Sequence, residues 1–380
     1  MDLILEGLFI FFVIVTTPFT LFQLVLIVRN RKVLNKKIPP PQSGRRILAV
    51  IATLGKADDV VFQIVKQLKS YNFKNLYIYI LVEYDNKTDY GVKSIVVPKD
   101  YKTDHHSKSK HRALHYFSEW LKKEGYGKET YVVHLDDDSV VSKKYLEYVM
   151  GMTAEAGQGA IRLRTYGHHL FSTLADFGRV VDCDTYCAFF NSRSTPFGVH
   201  GEGLVIRADV EEEIGWDYQP TVAEDFIMGQ NIYSKGYKFD FIPGGIYIAP
   251  PTNTRDFYNQ RRRWHHHFFE SIHLGYKLHK SATAWFAYQY SMGWAMALGL
   301  GIWIYVLIAR PSIYPILFYI TTFNLIVSFG LYQYAAYYIK KLKYHLLMLL
   351  LQIPVTVYYS LTFFYYLLKK PKSDIYIKKV

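Results

Sequence analysis

The apolar and polar positions divide this 380-residue chain into a mixed middle part and apolar flanks. In the middle part, near-continuous apolar runs rich in β-branched residues are typical of strands buried on both faces of a sheet. These runs are Arg45–Gly55, Leu76–Asp85, Ser94–Pro98 and Tyr131–Asp138. Apolar residues at helical spacing predict helices over Asp58–Tyr71 and His111–Gly125. This order of elements predicts an α/β fold with a mostly parallel sheet and crossover helices.

Four flanking segments have no charged residue over about the 20 residues that a helix needs to cross a bilayer. They are Leu8–Val28, Trp285–Ala309, Ile313–Ile339 and Leu346–Leu368. One such segment alone could be a buried core helix, but four in one chain indicate a multi-pass membrane protein. The first is predicted to be an uncleaved anchor, because Asp2 and Glu6 precede it where a secretory signal carries basic residues.

The net charge of +13 is concentrated beside these apolar segments. Arg29–Arg46 holds seven lysines or arginines and no acid, and further lysines lie at positions 340, 341 and 343 and after Leu368. This placement indicates contacts with anionic membrane lipids rather than with nucleic acid, and it predicts that the middle part is cytoplasmic. Four crossings would leave the basic tail outside, so we expect one of the last three segments to be re-entrant or interfacial.

Shifts in composition predict the domain boundaries. We expect an anchor over 1–28, a basic, proline-containing linker over 29–44, a soluble domain over 45–264, an interfacial segment over 265–284, about three membrane segments over 285–368 and a basic tail over 369–380. Within the soluble domain, the spacing of Cys183 and Cys187 suits one face of a helix. A disulfide is not expected in the cytoplasm, and without a nearby histidine pair the two thiols indicate only a weak metal site.

The strand Tyr131–Asp138 ends in three adjacent carboxylates. Ligands of parallel sheets bind beyond the carboxyl ends of the strands, and Glu83 and Asp85 end another strand at the same edge. Asp136 and Asp138, one residue apart, could face one ion, and hard cations such as Mg²⁺ or Mn²⁺ prefer these oxygen ligands. For the triplet alone, a solvated turn is the alternative interpretation.

Two later stretches also carry groups suited to chemistry. Glu224 and Asp225 open a helix-like run, where carboxylates either complement the helix dipole or include a general base. Asn259–Ser271 holds three arginines, a tryptophan and three histidines just before the membrane segments. This stretch is either an interfacial helix or a clamp for diphosphate, since arginine donates paired hydrogen bonds to phosphate oxygens.

Taken together, these motifs resemble those of membrane-bound family 2 glycosyltransferases, the group of the cellulose, chitin and hyaluronan synthases. The matching residues are Asp136-x-Asp138, Glu224-Asp225 and Gln260-Arg261-Arg262-Arg263-Trp264. Several blocks are similar to the egghead type of β-1,4-mannosyltransferase, namely VVPKDYKT, KHRALHY, VVHLDDDSVV, STLADFGRV and VAEDFIMGQNIYSKGYKFDFIPG. The loop Val199–Gly203 departs from the egghead pattern, which leaves the acceptor open.

The resemblance implies a GT-A-type fold and a role for each matched residue. Asp136 and Asp138 would hold Mg²⁺ or Mn²⁺ on the diphosphate of a nucleotide-sugar donor, and Asp225, beside Glu224, would be the general base. The resemblance assigns the remaining donor and acceptor contacts to Lys110, Asp85, Gln260, Arg261, Arg263 and Trp264.

The expected activity is therefore an inverting, metal-dependent transfer of a sugar at the cytoplasmic face of a membrane. The resemblance favours mannose from GDP-mannose, β-1,4-linked to a lipid-linked or glycan acceptor. A processive polysaccharide synthase is an alternative that differs in product length. A membrane scaffold or lipid-binding protein is the non-enzyme alternative, and it predicts that no nucleotide binds.

Overall fold

The structure is a computed structural model that describes residues 2–164, 169–196, 198–218, 223–309, 314–338 and 342–369. The strands are β1 (Arg46–Ala52), β2 (Leu76–Glu83), β3 (Lys93–Val97), β4 (Thr130–Asp136), β5 (Val140–Val141), β6 (Ala156–Leu163), β7 (Val205–Arg207) and β8 (Phe239–Ile248). The helices before β7 are α1 (Asp2–Arg29), α2 (Arg31–Leu34), α3 (Asp58–Ser70), α4 (Ser109–Glu124), α5 (Lys143–Gly151), α6 (Leu170–Ala175), α7 (Phe177–Asp182) and α8 (Ala188–Asn191), with a π-helical turn, Cys183–Cys187, between α7 and α8. The later helices are α9 (Ala208–Ile214), α10 (Glu224–Ser234), α11 (Thr254–Leu278), α12 (Lys280–Ala309), α13 (Tyr314–Tyr337) and α14 (Leu342–Leu368).

One sheet of eight strands, in the order β3-β2-β1-β4-β7-β6-β8-β5, forms the centre of the soluble part. Four of its seven strand pairs are parallel, among them β1 with β2 and β1 with β4. This confirms the predicted α/β class. The strands predicted from apolar runs correspond to β1, β2, β3 and β4, and the two predicted helices correspond to α3 and α4.

The central strand β1 shows why these runs lack polar alternation. Ile47, Ala49 and Ile51 belong to the core that contains the apolar face of α3. Leu48 and Val50 point to the other side and belong to the core that contains α4. Because both faces of the strand are covered, every position must be apolar.

Three helices in the described part of the chain are long and apolar enough to cross a membrane: Phe9–Arg29, Pro315–Tyr337 and Leu342–Leu368. The predicted segment Trp285–Ala309 is helical as well, within the 30 residues of α12. Helix α11 continues through the predicted boundary at residue 264, so the predicted soluble domain and the predicted interfacial segment share one helix. Lys340, Lys341 and the tail from residue 370 onward lie outside the described residues.

Candidate active site

A cavity of about 700 Å³ opens at the carboxyl ends of β1, β2 and β4. Parallel pairing brings these ends to one edge, and Ala52 of β1 lies directly beside Asp136 of β4. The other walls come from the starts of α4 and α10, from α11 and from the long apolar helices α1, α12, α13 and α14. The volume suits a ligand of nucleotide-sugar size, because ligand pockets commonly measure about 300–1,000 Å³.

The three aspartates at the end of β4 occupy different environments. Asp136 and Asp137 line the cavity and are half-buried. Thr53 donates a hydrogen bond to Asp137 Oδ2 at 3.1 Å. Asp138 is only 2% exposed and lies outside the cavity lining. The oxygen donors at this edge suit a hard divalent cation, and the metal role of Asp136 and Asp138 stays a prediction.

Lys110, in the first turn of α4, joins two of the predicted site residues. Its Nζ lies 2.7 Å from Asp136 Oδ1 and 3.0 Å from Glu224 Oε1. Burial disfavours the ammonium, but the two carboxylates outweigh burial and hold the pKa of Lys110 well above its ordinary value. Burial likewise works against the Glu224 carboxylate, and the charge of Lys110 overcomes it, so the pKa of Glu224 lies below its usual range.

Asp225 follows Glu224 in the first turn of α10 and also lines the cavity. Burial, and then the negative charge of Glu224, raise the pKa of Asp225 to about 7. The backbone N–H of Phe226 donates to Asp225 Oδ1 at 2.8 Å, which fixes the orientation of the carboxyl group. A carboxylate with this pKa is matched to proton transfer near neutral pH.

Helix α11 presents Gln260, Arg263 and Trp264 to the cavity. Arg261 does not line it. Its side chain is 1% exposed and forms a buried ion pair with Asp176. Its guanidinium also lies 4.0 Å from the centre of the Trp264 ring, so Arg261 supports the cavity wall from behind.

The structure does not bring Asp85 to the cavity. Strand β2 ends at Glu83, and Asp85 lies exposed in the turn that follows. Glu83 lines the cavity instead and forms an ion pair with Arg112.

The cavity also contains charged residues to which the sequence motifs assign no specific role. Arg179 and Glu202 line it and form an ion pair with a distance of 3.0 Å. Arg179 also lies 4.9 Å from the centre of the Trp264 ring. Both residues lie in stretches that the family resemblance already includes or marks as different: Arg179 lies in the block STLADFGRV and Glu202 in the loop Val199–Gly203.

The arrangement can therefore contact an anionic ligand and accept a proton beside it. Arg263 supplies positive charge, Lys110 and Arg179 add N–H donors while each also pairs with a carboxylate, and Trp264 offers a flat aromatic surface. Asp225 supplies a carboxylate whose pKa is near 7. This combination suits transfer of a group away from a phosphate leaving group to a hydroxyl.

Comparison with known proteins identifies related sequences. The family model described as glycosyl transferase family group 2 matches residues 131–368. The β-1,4-mannosyltransferase egh of Drosophila melanogaster is 30% identical over 185 residues, which cover 46% of this chain and 40% of that protein. The β-1,4-mannosyltransferase bre-3 of Caenorhabditis elegans is 28% identical over 204 residues, covering 48% and 42%. The matched parts thus span less than half the length of these relatives.

A solved structure shows the same fold. Mannosyltransferase PcManGT from Pyrobaculum calidifontis, in complex with GDP-Man and Mn²⁺, superposes with a TM-score of 0.50 at 15% identity. The superposition covers 84% of this chain and 97% of that one. At this level of identity the likeness concerns the fold alone, and it confirms the GT-A-type sheet.

Proposed function

This chain belongs to glycosyl transferase family group 2, and from that premise we propose that it transfers mannose from GDP-mannose to a hydroxyl of a lipid-linked or glycan acceptor. The proposed product is β-1,4-linked and the transfer inverts the anomeric configuration. The mannosyltransferase names of egh and bre-3 support the sugar. PcManGT, which shares the fold, was solved with GDP-Man and Mn²⁺ and supports the donor.

The environment of Asp225 carries this proposal. Its carboxyl group lines the cavity, is oriented by the N–H of Phe226 and has a pKa of about 7. As general base, Asp225 removes the proton of the acceptor hydroxyl while the oxygen attacks the anomeric carbon. Attack from the face opposite the leaving diphosphate gives inversion.

The leaving nucleoside diphosphate is an anion and needs positive charge around it. Lys110, Arg179 and Arg263 line the same cavity and can supply that charge. Asp136 and Asp138 would hold Mg²⁺ or Mn²⁺, which when bound adds Lewis-acid stabilisation of the diphosphate oxygens. Gln260 and Trp264 would contact the donor and the acceptor sugar.

The membrane side of the cavity supports a lipid-linked acceptor. Its lining includes Phe286 and Tyr290 of α12, Tyr332 of α13 and Thr356 of α14. The same cavity reaches Asp136 at the sheet edge. An acceptor with its lipid part among the membrane helices could therefore present its sugar to Asp225.

We further propose that α1, α12 and α13 cross the membrane. Helices α1 and α12 run antiparallel along most of their length, since Phe22 contacts Trp285 near one end and Phe9 contacts Tyr305 near the other. Trp303 of α12 donates a hydrogen bond to Thr322 of α13 at 3.0 Å. Packing along this length favours α12 as a crossing helix, in addition to its 30-residue length.

Helix α14 has a different relation to the soluble part, which it contacts at both ends. Tyr344 packs against Phe177 of α7, and Arg262 of α11 donates a hydrogen bond to the carbonyl of Lys369, just beyond α14. The outward face carries exposed Leu346, Leu350 and other apolar residues. We infer from these two contacts that α14, although apolar enough to cross a membrane, lies along it, which would leave the end of α14 on the cytoplasmic side with the middle part.

The proposed reaction can be tested with the purified full chain, a divalent metal and a panel of donors. We expect transfer from GDP-mannose to a glycolipid acceptor, and linkage analysis should identify β-1,4-linked mannose. Product length separates single transfer from a processive synthase. Absence of turnover with GDP-mannose, UDP-glucose, UDP-N-acetylglucosamine and UDP-glucuronate would overturn the proposal.

A further inference from the structure

Cys183, Cys187 and His200 form a compact cluster in the wall of the large cavity. Cys183 Sγ lies 3.3 Å and Cys187 Sγ lies 3.5 Å from His200 Nε2. The ligand atoms of all three side chains lie within 4.8 Å of one another. Both cysteines are buried as free thiols. The proposed sugar transfer assigns no role to any of these three residues.

The local backbone brings the three side chains together. The two cysteines are the first and last residues of the π-helical turn that follows α7. Such turns are rare and frequently mark functional sites. His200 comes from the loop that leads to β7, and Cys187 Sγ also lies 3.8 Å from the carbonyl oxygen of Gly198 in that loop. The cluster thus connects the π-helical turn to the loop that precedes β7.

The distances match those of a tetrahedral zinc site. With Zn–S bonds of about 2.3 Å and Zn–N bonds of about 2.0–2.1 Å, a tetrahedral angle separates sulfur and nitrogen by about 3.5 Å. The two sulfur–nitrogen distances here are 3.3 and 3.5 Å. Two thiolates and an imidazole select zinc over Mg²⁺ and Mn²⁺, which prefer oxygen ligands.

We propose that Cys183, Cys187 and His200 bind a Zn²⁺ ion that fastens the loop 198–203 to the π-helical turn. Cys187 and His200 also line the cavity, so water can supply the fourth ligand. This site is separate from the hard-cation site at the end of β4, and it does not depend on which sugar is transferred.

The loop 198–203 connects the proposed zinc ion to the candidate active site. Gly201 follows His200 directly, and a Cβ added there would lie 2.9 Å from Lys110 Nζ and 3.6 Å from Asp225 Oδ2. The loop therefore forms the surface against which Lys110 and Asp225 pack. A metal ion bound to His200 would therefore hold the loop at a fixed distance from Lys110 and Asp225.

Elemental analysis of the full chain tests the proposal. The protein is purified in detergent with an affinity tag that binds no metal, and zinc is measured by mass spectrometry. We expect about one Zn²⁺ per chain, since the cluster offers three protein ligands and one position open to water. Replacement of the zinc by Co²⁺ should produce a thiolate-to-cobalt charge-transfer band in the near ultraviolet, and intact-mass analysis should show two reduced thiols.

Variants assign the bound metal to the cluster. Cys187→Ser and His200→Gln should each lower zinc content at least tenfold. His267→Gln, which alters another histidine of the same cavity, should retain it. Wild-type protein without zinc and without a cobalt charge-transfer band would overturn the proposal, as would a Cys183–Cys187 disulfide. The zinc content and the cobalt spectrum of the wild type decide the question even if a substitution prevents folding.

Discussion

The Nζ of Lys110 lies 2.7 Å from Asp136 Oδ1, which links the start of helix α4 to the end of strand β4. The same nitrogen reaches Glu224 at 3.0 Å. Through this one side chain, the carboxylates of two distant motifs become parts of one charge cluster. The pKa of Asp225, the neighbour of Glu224, is in turn raised by the charge of Glu224 and lowered by that of Lys110.

The pH dependence of transfer should report the pKa of Asp225. A general base acts only when deprotonated, so kcat/KM should fall about tenfold per pH unit below the pKa near 7. Asp225→Asn should lower kcat by about 10²- to 10⁴-fold, the usual contribution of a general base. Rates at low and at saturating acceptor concentration, measured from pH 5 to 9, give kcat/KM and kcat and so check both expectations.

The fall in activity at low pH is the acid limb of the pH profile. Substitutions of two residues next to Asp225 should shift this acid limb in opposite directions. The charge of Glu224 raises the pKa of Asp225 and the charge of Lys110 lowers it. Glu224→Gln should therefore shift the acid limb to lower pH, and Lys110→Met should shift it to higher pH. Profiles that remain superimposable with the wild type in both variants would exclude Asp225 as the titrating base.

The three aspartates of β4 should differ in their effect on metal-dependent activity. Asp136→Ala and Asp138→Ala are each expected to abolish it, and Asp137→Ala should reduce it less. Titration of activity with Mn²⁺ measures this order. Because Asp138 is buried, its variant needs a thermal unfolding control. Equal losses in all three variants would contradict the proposed pair of ligands.

Substitutions of two arginines of α11 should have different effects, one on stability and the other on donor binding. Arg261→Met leaves Asp176 as an uncompensated buried charge and should cost about 3–5 kcal/mol of unfolding free energy. Arg263→Met should leave the melting temperature nearly unchanged and weaken donor binding. Thermal unfolding in detergent and donor titration distinguish the two. A normal melting temperature for Arg261→Met would show that its ion pair is dispensable.

Membrane topology can be measured with terminal tags. If α1, α12 and α13 cross and α14 lies in the interface, a C-terminal tag faces the cytoplasm and an N-terminal tag faces the other side. In sealed vesicles with the cytoplasmic face outward, added protease should remove only the C-terminal tag. Protection of the C-terminal tag would instead indicate that α14 crosses the membrane.

The sheet and the edge that carries the candidate site could be predicted because the pattern is local. Apolar runs covered on both faces have few alternatives, and the carboxylates that end β4 mark where the run leaves the core. The different orientation of Arg261 could also be predicted from the spacing of residues along a helix. Gln260, Arg263 and Trp264 are related by three and four positions, which places them on one helical face, whereas Arg261 faces another direction. The match over residues 131–368 confirms the family resemblance.

Other features depend on contacts that sequence spacing does not contain. Asp85 has the charge expected at a strand end, but β2 ends two residues earlier, and Glu83 lines the cavity instead. Hydropathy likewise cannot distinguish a helix that crosses a bilayer from one that lies along it. For α14 the proposed interfacial position rests on the contacts of Tyr344 and Lys369 with α7 and α11. The two cysteines acquired a third possible metal ligand only through the loop that carries His200.

The cavity that joins Asp136 to Tyr290 has a kinetic consequence for a lipid-linked acceptor. Such a substrate would reach Asp225 by diffusing within the plane of the bilayer, while the soluble donor would arrive from water. Saturation by the acceptor would then follow its mole fraction among the lipids and not its concentration in the sample volume. Diluting the membranes with buffer would leave the acceptor dependence unchanged, whereas adding inert lipid at constant volume would slow the reaction.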